Sequence, residues 1–348
     1  MQTFIASIVV FGLLIFIHEL GHFLAAKLMN IKVHEFSLGF GPKLVSLPRG
    51  ETSYNVRALP LGGFVRMAGM DPNEEEPDEE RGFNKKTVGQ RVFVIFAGPA
   101  MNFVLAALLL AFIFFFQGIP VPLTTIESVV PGYPAESAGI LPGDKVVAVD
   151  NVPVGNWNEL AAKINSRPEE KIQLTVLREG REKNFEIYTI RDENGQGKIG
   201  IVPARGPEKL SVPAAIAEGW KWTARITVMI LTFLSKMIFG AAPADLGGPV
   251  RVVTEIGKAV EVGYFFVVEL AAFLSINLGL FNLFPIPALD GSRILFLTWE
   301  KIRGRPVDPV KENFIHLVGF GLLMLLMIII TYNDILQIFI EPKVPMQR

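Results

Sequence analysis

The 348-residue chain contains no cysteine. No disulfide framework is open to it, and no thiolate can hold a metal, so a metal site would have to be built from His, Asp or Glu. Histidine is scarce too, with four in all. Charge is nearly balanced, at a formal −1, which leaves no basic footprint for nucleic acid. Apolar residues, by contrast, make up half of the chain, and mean hydropathy is positive. That is too apolar for an ordinary soluble enzyme and fits a multi-span membrane protein carrying one soluble module.

Two of the four histidines fall in one short stretch. The apolar run from Phe4 to Ala26 is broken only by His18-Glu19-Leu-Gly-His22. On a helix, His18 and His22 lie on one face, one turn apart. Two imidazoles at that spacing suit a zinc ion, and Glu19 beside them could take a proton from water. Ionisable groups inside a membrane-length helix are costly and therefore functional candidates by default. The plainer alternative is two hydrogen-bonded histidines in a helix bundle. The run is long enough to span and lacks a charged n-region, so it reads as a retained span rather than a secretory signal.

Lys27, Lys32, Lys43, Arg49, Arg57 and Arg66 follow the first span, and Lys85, Lys86 and Arg91 precede the second. The positive-inside rule makes this loop cytoplasmic. Residues 33–67 alternate apolar and polar residues with Gly and Pro as punctuation, which predicts short β-hairpins. They either dip into the membrane beside the histidines or form a small cytoplasmic sheet. The acidic, proline-broken run 71–80 reads as solvated. The second span is Val92–Phe116, interrupted by Ala97-Gly98-Pro99, with Asn102 available to hydrogen-bond between helices. Residues 121–204 regain charge and β-branched alternation. Residues 213–239 place Glu218, Lys221, Arg225, Thr232 and Lys236 on one stripe, as in a helix lying in the interface. A third span, 262–283, is followed by Pro285, Pro287 and Leu289-Asp290-Gly291; the prolines break the helix. A fourth covers 314–330, with His316 read as structural.

If 213–239 lies flat, the spans run inward, outward, inward, outward. Asp290 then meets His18 and His22 on the cytoplasmic side, and the soluble module is outside. If it crossed, Asp290 would emerge on the far face.

Taken together, His18-Glu19-Leu-Gly-His22, Phe40-Gly41-Pro, Ala97-Gly98-Pro99 and Asn282-x-x-Pro285-x-Pro287-x-Leu-Asp290-Gly291 resemble the site-2 protease family of intramembrane zinc metalloproteases, bacterial regulator-of-sigma-E protease type. The resemblance implies four spans, one zinc ion per chain on His18, His22 and Asp290, and Glu19 as the catalytic base. It also implies substrate contacts at Asn282, Pro285, Pro287 and Gly39-Phe40-Gly41. Pro134-Ala-Glu-Ser-Ala-Gly-Ile-Leu-Pro-Gly143-Asp resembles a PDZ domain, which is a module for peptide or only a gate. The expected organisation is 1–120 for two spans and the β-loop, 121–206 for an extracytoplasmic PDZ domain, 207–250 for the interfacial helix and linker, and 251–348 for the last two spans. Expected partners are single-span membrane substrates (an anti-sigma factor or signal-peptide remnants), membrane lipid and a peptide at the PDZ domain, with no nucleic acid. The expected setting is the bacterial inner membrane. Ser292 departs from the second glycine common in the family, and there is room for one PDZ domain where enterobacterial members have two. A metal or proton transporter and a non-catalytic scaffold are the rival classes. The first sits poorly with a single motif and no repeat, the second with an intact Glu19.

Overall fold

The computed structural model describes residues 1–70, 80–240 and 247–340. The acidic run, apart from Glu80, and the break after the interfacial segment fall outside the described residues. The chain divides into two compact units, Met1–Ile113 with Val212–Arg348, and Phe114–Ser211.

The first unit is built on helices. Among the described residues, four are long and apolar enough to cross a membrane: α1 (Gln2–Leu28), α2 (Val88–Gln117), α7 (Tyr264–Asn282) and α9 (Pro309–Ile340). This is a multi-pass membrane protein with a separate β-rich region. In lipid the backbone must satisfy its own hydrogen bonds, which makes helix the default for these runs. The α1 helix, at 27 residues, is roughly 40 Å long and exceeds the hydrocarbon core.

Lipid tails are as apolar as leucine, so helices associate by close packing rather than by the hydrophobic effect. The α2 helix is the hub of that packing. Gly21 of α1 lies directly against the Ala97 carbonyl, and a Cβ on Gly279 of α7 would sit 2.9 Å from the Pro99 carbonyl oxygen. Ser275 Oγ donates to the Asn102 carbonyl at 2.8 Å. Pro99 removes one helical hydrogen bond, but α2 runs on through it without the interruption expected from sequence. The α5 helix (Val212–Ile238) is not among the apolar four. It packs on α2 where Gly219 meets the Ala107 carbonyl.

Two helices escaped the sequence reading. One is α6 (Pro249–Val262), in the stretch left unassigned there between residues 239 and 262. Its Val252, Ile256 and Val260 pack with Val10 and Leu14 of α1. The other is α8 (Asp290–Arg303), where only a broken helix and a basic tail were expected. An Arg91–Glu300 ion pair at 2.5 Å ties the start of α2 to the last turns of α8.

The segment between α1 and α2 is two long strands, β1 (Val33–Arg49) and β2 (Thr52–Met67), rather than a series of short hairpins. The strands fold back on themselves. Residues 35–38 have partners at 63–66 on one side and 53–56 on the other, and 43–49 lies outermost against 52–57. The base is wedged in by Ile31, Val33, Met67, Ala25 and Val94. Phe36 packs edge-on against Phe16 and Phe23 of α1.

In the second unit, β3 (Ile119–Val129), β4 (Lys145–Val149), β6 (Lys171–Arg178), β7 (Arg181–Tyr188) and β10 (Ile201–Glu208) form a sheet in the order β10-β3-β4-β6-β7, with β5 (Val152–Pro153) beside β4. Short α3 (Pro134–Ser137) and amphipathic α4 (Trp157–Asn165) complete it, with a small β8–β9 pair (Ile190–Arg191, Gly197–Lys198). Leu160 and Ile164 of α4 join Ile126, Val146, Leu174 and Ile187 in the core. Asp144 is buried in the turn before β4. Its burial is outweighed by two 2.7 Å hydrogen bonds from Arg178 and one from the Leu141 N–H, which hold its carboxyl below the usual carboxylate range.

Candidate metal centre

The α1 helix turns His18 and His22 toward α2, and α8 begins at Asp290 after the proline-rich break that ends α7. The three converge. Asp290 Oδ2 lies 3.1 Å from His18 Nε2 and 3.3 Å from His22 Nε2, and the two Nε2 atoms are 3.2 Å apart. Their ligand atoms all lie within 4.8 Å of one another, the only such group of three among the described residues. Asp290 Oδ2 is buried and has no hydrogen-bond donor. Two imidazoles and a carboxylate are a donor set that suits zinc and leave a fourth position open, so these side chains fit a zinc ion.

Neighbouring groups fix the imidazoles. His22 Nδ1 lies 2.9 Å from the Val94 carbonyl, which can only accept. The proton therefore sits on Nδ1, and the Nε2 lone pair faces the cluster. Gly98 has no room for a side chain, since a Cβ there would overlap the His22 ring. On His18, Nδ1 lies 3.1 Å from the Asn102 side-chain amide, while Asn102 Oδ1 is buried without a partner. With Nδ1 engaged by that amide, His18 Nε2 is the ring nitrogen that faces the cluster.

Glu19 interacts electrostatically with His22, His18 and Asp290. On its other side is β2, where a Cβ on Gly63 would sit 2.9 Å from Glu19 Cγ. This glycine brings the hairpin backbone up to the acid. Gly63 pairs with Leu38, immediately before Gly39-Phe40-Gly41. Gly39 and Gly41 adopt positive φ at the fold-back of β1, the Phe40 ring stacks on Phe64, and the Gly41 carbonyl accepts from Arg57 Nη1 at 2.7 Å. Asn282 donates to Leu278 in its own helix at 2.9 Å. Pro285 is exposed and Pro287 partly so. Ser292 is buried and donates to the Leu289 carbonyl at 2.7 Å. Of the sequence-derived residues, then, the structure brings His18, Glu19, His22 and Asp290 together and sets Gly39–Gly41 along the adjoining hairpin.

Sequence reasoning had Asn102 hydrogen-bonding between helices but not to His18, and did not see the Val94 carbonyl. An asparagine in an otherwise apolar helix was signal enough for the first. A backbone acceptor leaves no sequence trace.

A helical bundle with four membrane-length helices, in which two histidines of one such helix meet an aspartate at the start of α8, with a glutamate alongside, defines a metalloprotease-type centre. Residues 6–326 match Peptidase family M50, and the chain belongs to that family. It is 36% identical to the zinc metalloprotease RasP of Geobacillus kaustophilus over 98% of this chain and 99% of that one. It is 33% identical to the regulator of sigma-W protease RasP of Bacillus subtilis, over 97% and 99%. A stretch making up 24% of this chain is similar to the PDZ domain of an SdrC-like protein from Listeria monocytogenes, at 18% identity, over 90% of that chain, with a TM-score of 0.22.

Proposed function

We propose that this chain is a zinc-dependent intramembrane endopeptidase of the site-2 type, cutting peptide bonds within the transmembrane segments of single-span proteins. The observation that carries this reading is the convergence of His18, His22 and Asp290 beside Glu19, with both histidines on a helix long and apolar enough to cross a membrane. His18, His22 and Asp290 would hold one ion per chain. Zinc bound there supplies Lewis-acid chemistry, acidifying water and polarising the scissile carbonyl. Glu19 takes the proton of the attacking water and hands one to the departing amine.

A substrate helix must first unwind, because its peptide groups are hidden in their own hydrogen bonds. The 63–66 edge of the hairpin, next to Glu19, offers unpaired backbone to an extended segment, as in strand addition. Gly39, Phe40 and Gly41 line the same fold-back, and Asn282, Pro285 and Pro287 border the loop into Asp290. These six are the proposed substrate contacts.

The proposed setting is the bacterial cytoplasmic membrane, with the catalytic side toward the cytoplasm. The β-rich unit is a PDZ domain outside, admitting or binding peptide. Anti-sigma factors and signal-peptide remnants are the proposed substrates; the name of the Bacillus subtilis relative supports the first.

The test is Glu19→Gln. That variant should keep zinc at wild-type stoichiometry while cleavage of a single-span reporter falls by several orders of magnitude. Undiminished cleavage would remove Glu19 from the chemistry. A transporter reading would instead require metal flux with the reporter intact.

A further inference from the structure

Asp290 reaches the histidines from the end of a short loop, residues 283–289, that is hard to hold in shape. Ala288, two residues before the aspartate, sits at φ +78°, a left-handed conformation that alanine seldom adopts. Within the loop, Ile286 N–H donates to the Phe284 carbonyl at 2.7 Å and Leu289 N–H to the Ile286 carbonyl at 3.1 Å. The N–H of Ala288 itself is taken by a side chain from another helix: it donates to His316 Nδ1 of α9 at 3.0 Å. One turn further along α9, Gly319 faces Pro287 so closely that any Cβ would overlap it. His316 and Gly319 are three apart and so share a helix face. Most of α9 is open around this contact. The imidazole is set edge-on to Phe296 of α8, with ring centroids 5.7 Å apart. Because Nδ1 accepts the Ala288 N–H, the neutral ring carries its proton on Nε2, which is buried without a hydrogen-bond partner among the described residues, with Glu312 Oε1 3.8 Å away.

We propose that His316 is a positioning residue for the metal centre: by accepting the Ala288 N–H against the Gly319–Pro287 contact, it locks the left-handed turn that aims Asp290 at His18 and His22. This inference rests on the metal-site reading above and adds to it the part of α9 that sets the carboxylate. The histidine is not a ligand. It acts through a backbone hydrogen bond, as residues behind metal ligands commonly do.

The experiment uses full-length protein in detergent. Zinc affinity is measured by competition with a chelator, and amide exchange of the 283–291 segment is followed in metal-free protein. Asparagine can present an oxygen near the position of Nδ1, whereas leucine offers no acceptor. His316→Leu should lose about tenfold in zinc affinity and speed exchange in 283–291, with the exchange of α1 and α2 unchanged. His316→Asn should stay within about threefold of wild type and keep the segment protected. Wild-type affinity and protection in His316→Leu would overturn the inference while leaving the metal site standing. Equal losses in both variants, spread through the bundle, would overturn it in favour of a purely structural histidine. If wild-type protein binds no zinc, both readings fail. Should His316→Leu not fold, Gly319→Ala disturbs the same turn through Pro287. Unchanged zinc affinity there would likewise overturn the proposal.

Discussion

A methyl group at position 98 would collide with the ring of His22. Neither α2 backbone nor a ring held by the Val94 carbonyl can step aside, so Gly98→Ala should displace one ligand. Zinc affinity should fall by at least about tenfold, as when the support behind a ligand is lost, and proteolysis should fall with it. Chelator competition on purified protein checks this, with Gly89→Ala, whose Cβ meets nothing, as the control. At this scale much of the centre was legible in advance. The His18-Glu19-x-x-His22 spacing puts three costly polar groups on adjoining turns of a lipid span, which metal binding repays and packing does not. Ala97-Gly98-Pro99 signalled close helix approach. Sequence could not show which atom Gly98 makes room for. It read His316 as structural but could not name its partner, because a histidine that accepts a backbone hydrogen bond looks the same in sequence as one that accepts none.

The hairpin gives the clearest case among the elements. Glu35 is buried between the strand segments. Burial works to raise its pKa, but hydrogen bonds from Ser37 at 2.5 Å, Arg57 at 2.5 Å and Asn55 at 2.7 Å outweigh it and hold the carboxyl at about 2. An acid whose folded pKa is depressed stabilises the fold fully above its unfolded value of about 4.3, and that contribution is lost as pH falls through the folded value. Wild-type protein should therefore melt above Glu35→Gln at neutral pH, with the gap narrowing between about pH 4.3 and 2. Melting curves over that range check it, and a gap that is flat with pH would disprove it. Alternation along 33–67 revealed strands but not the fold-back, because one strand segment pairing on both sides depends on contacts distant in sequence. The α6 helix was readable in principle, since Val252, Ile256 and Val260 recur every four residues. It lies in the stretch between residues 239 and 262 to which no element was assigned.

For the whole molecule, the absence of cysteine makes the proposed orientation simple to test. A single cysteine at Glu193, in the turn before β9, should react with a membrane-impermeant maleimide in intact cells. One at Arg49, at the tip of the hairpin, should react only after permeabilisation. The reverse pattern would invert the topology and move the metal centre to the outer face. The four spans were visible from composition alone, since an apolar run of that length has few other uses. The way α2 gathers its neighbours was not, because small residues mark close approach without naming the partner.

The two imidazoles belong to α1 and their carboxylate partner to α8, which follows it in the chain. While the ribosome is still working through the middle of the chain, α1 already sits in the bilayer with no third donor to complete the set. If these three side chains hold the ion as proposed, the site cannot be complete until residue 290 has been made and has folded against α1.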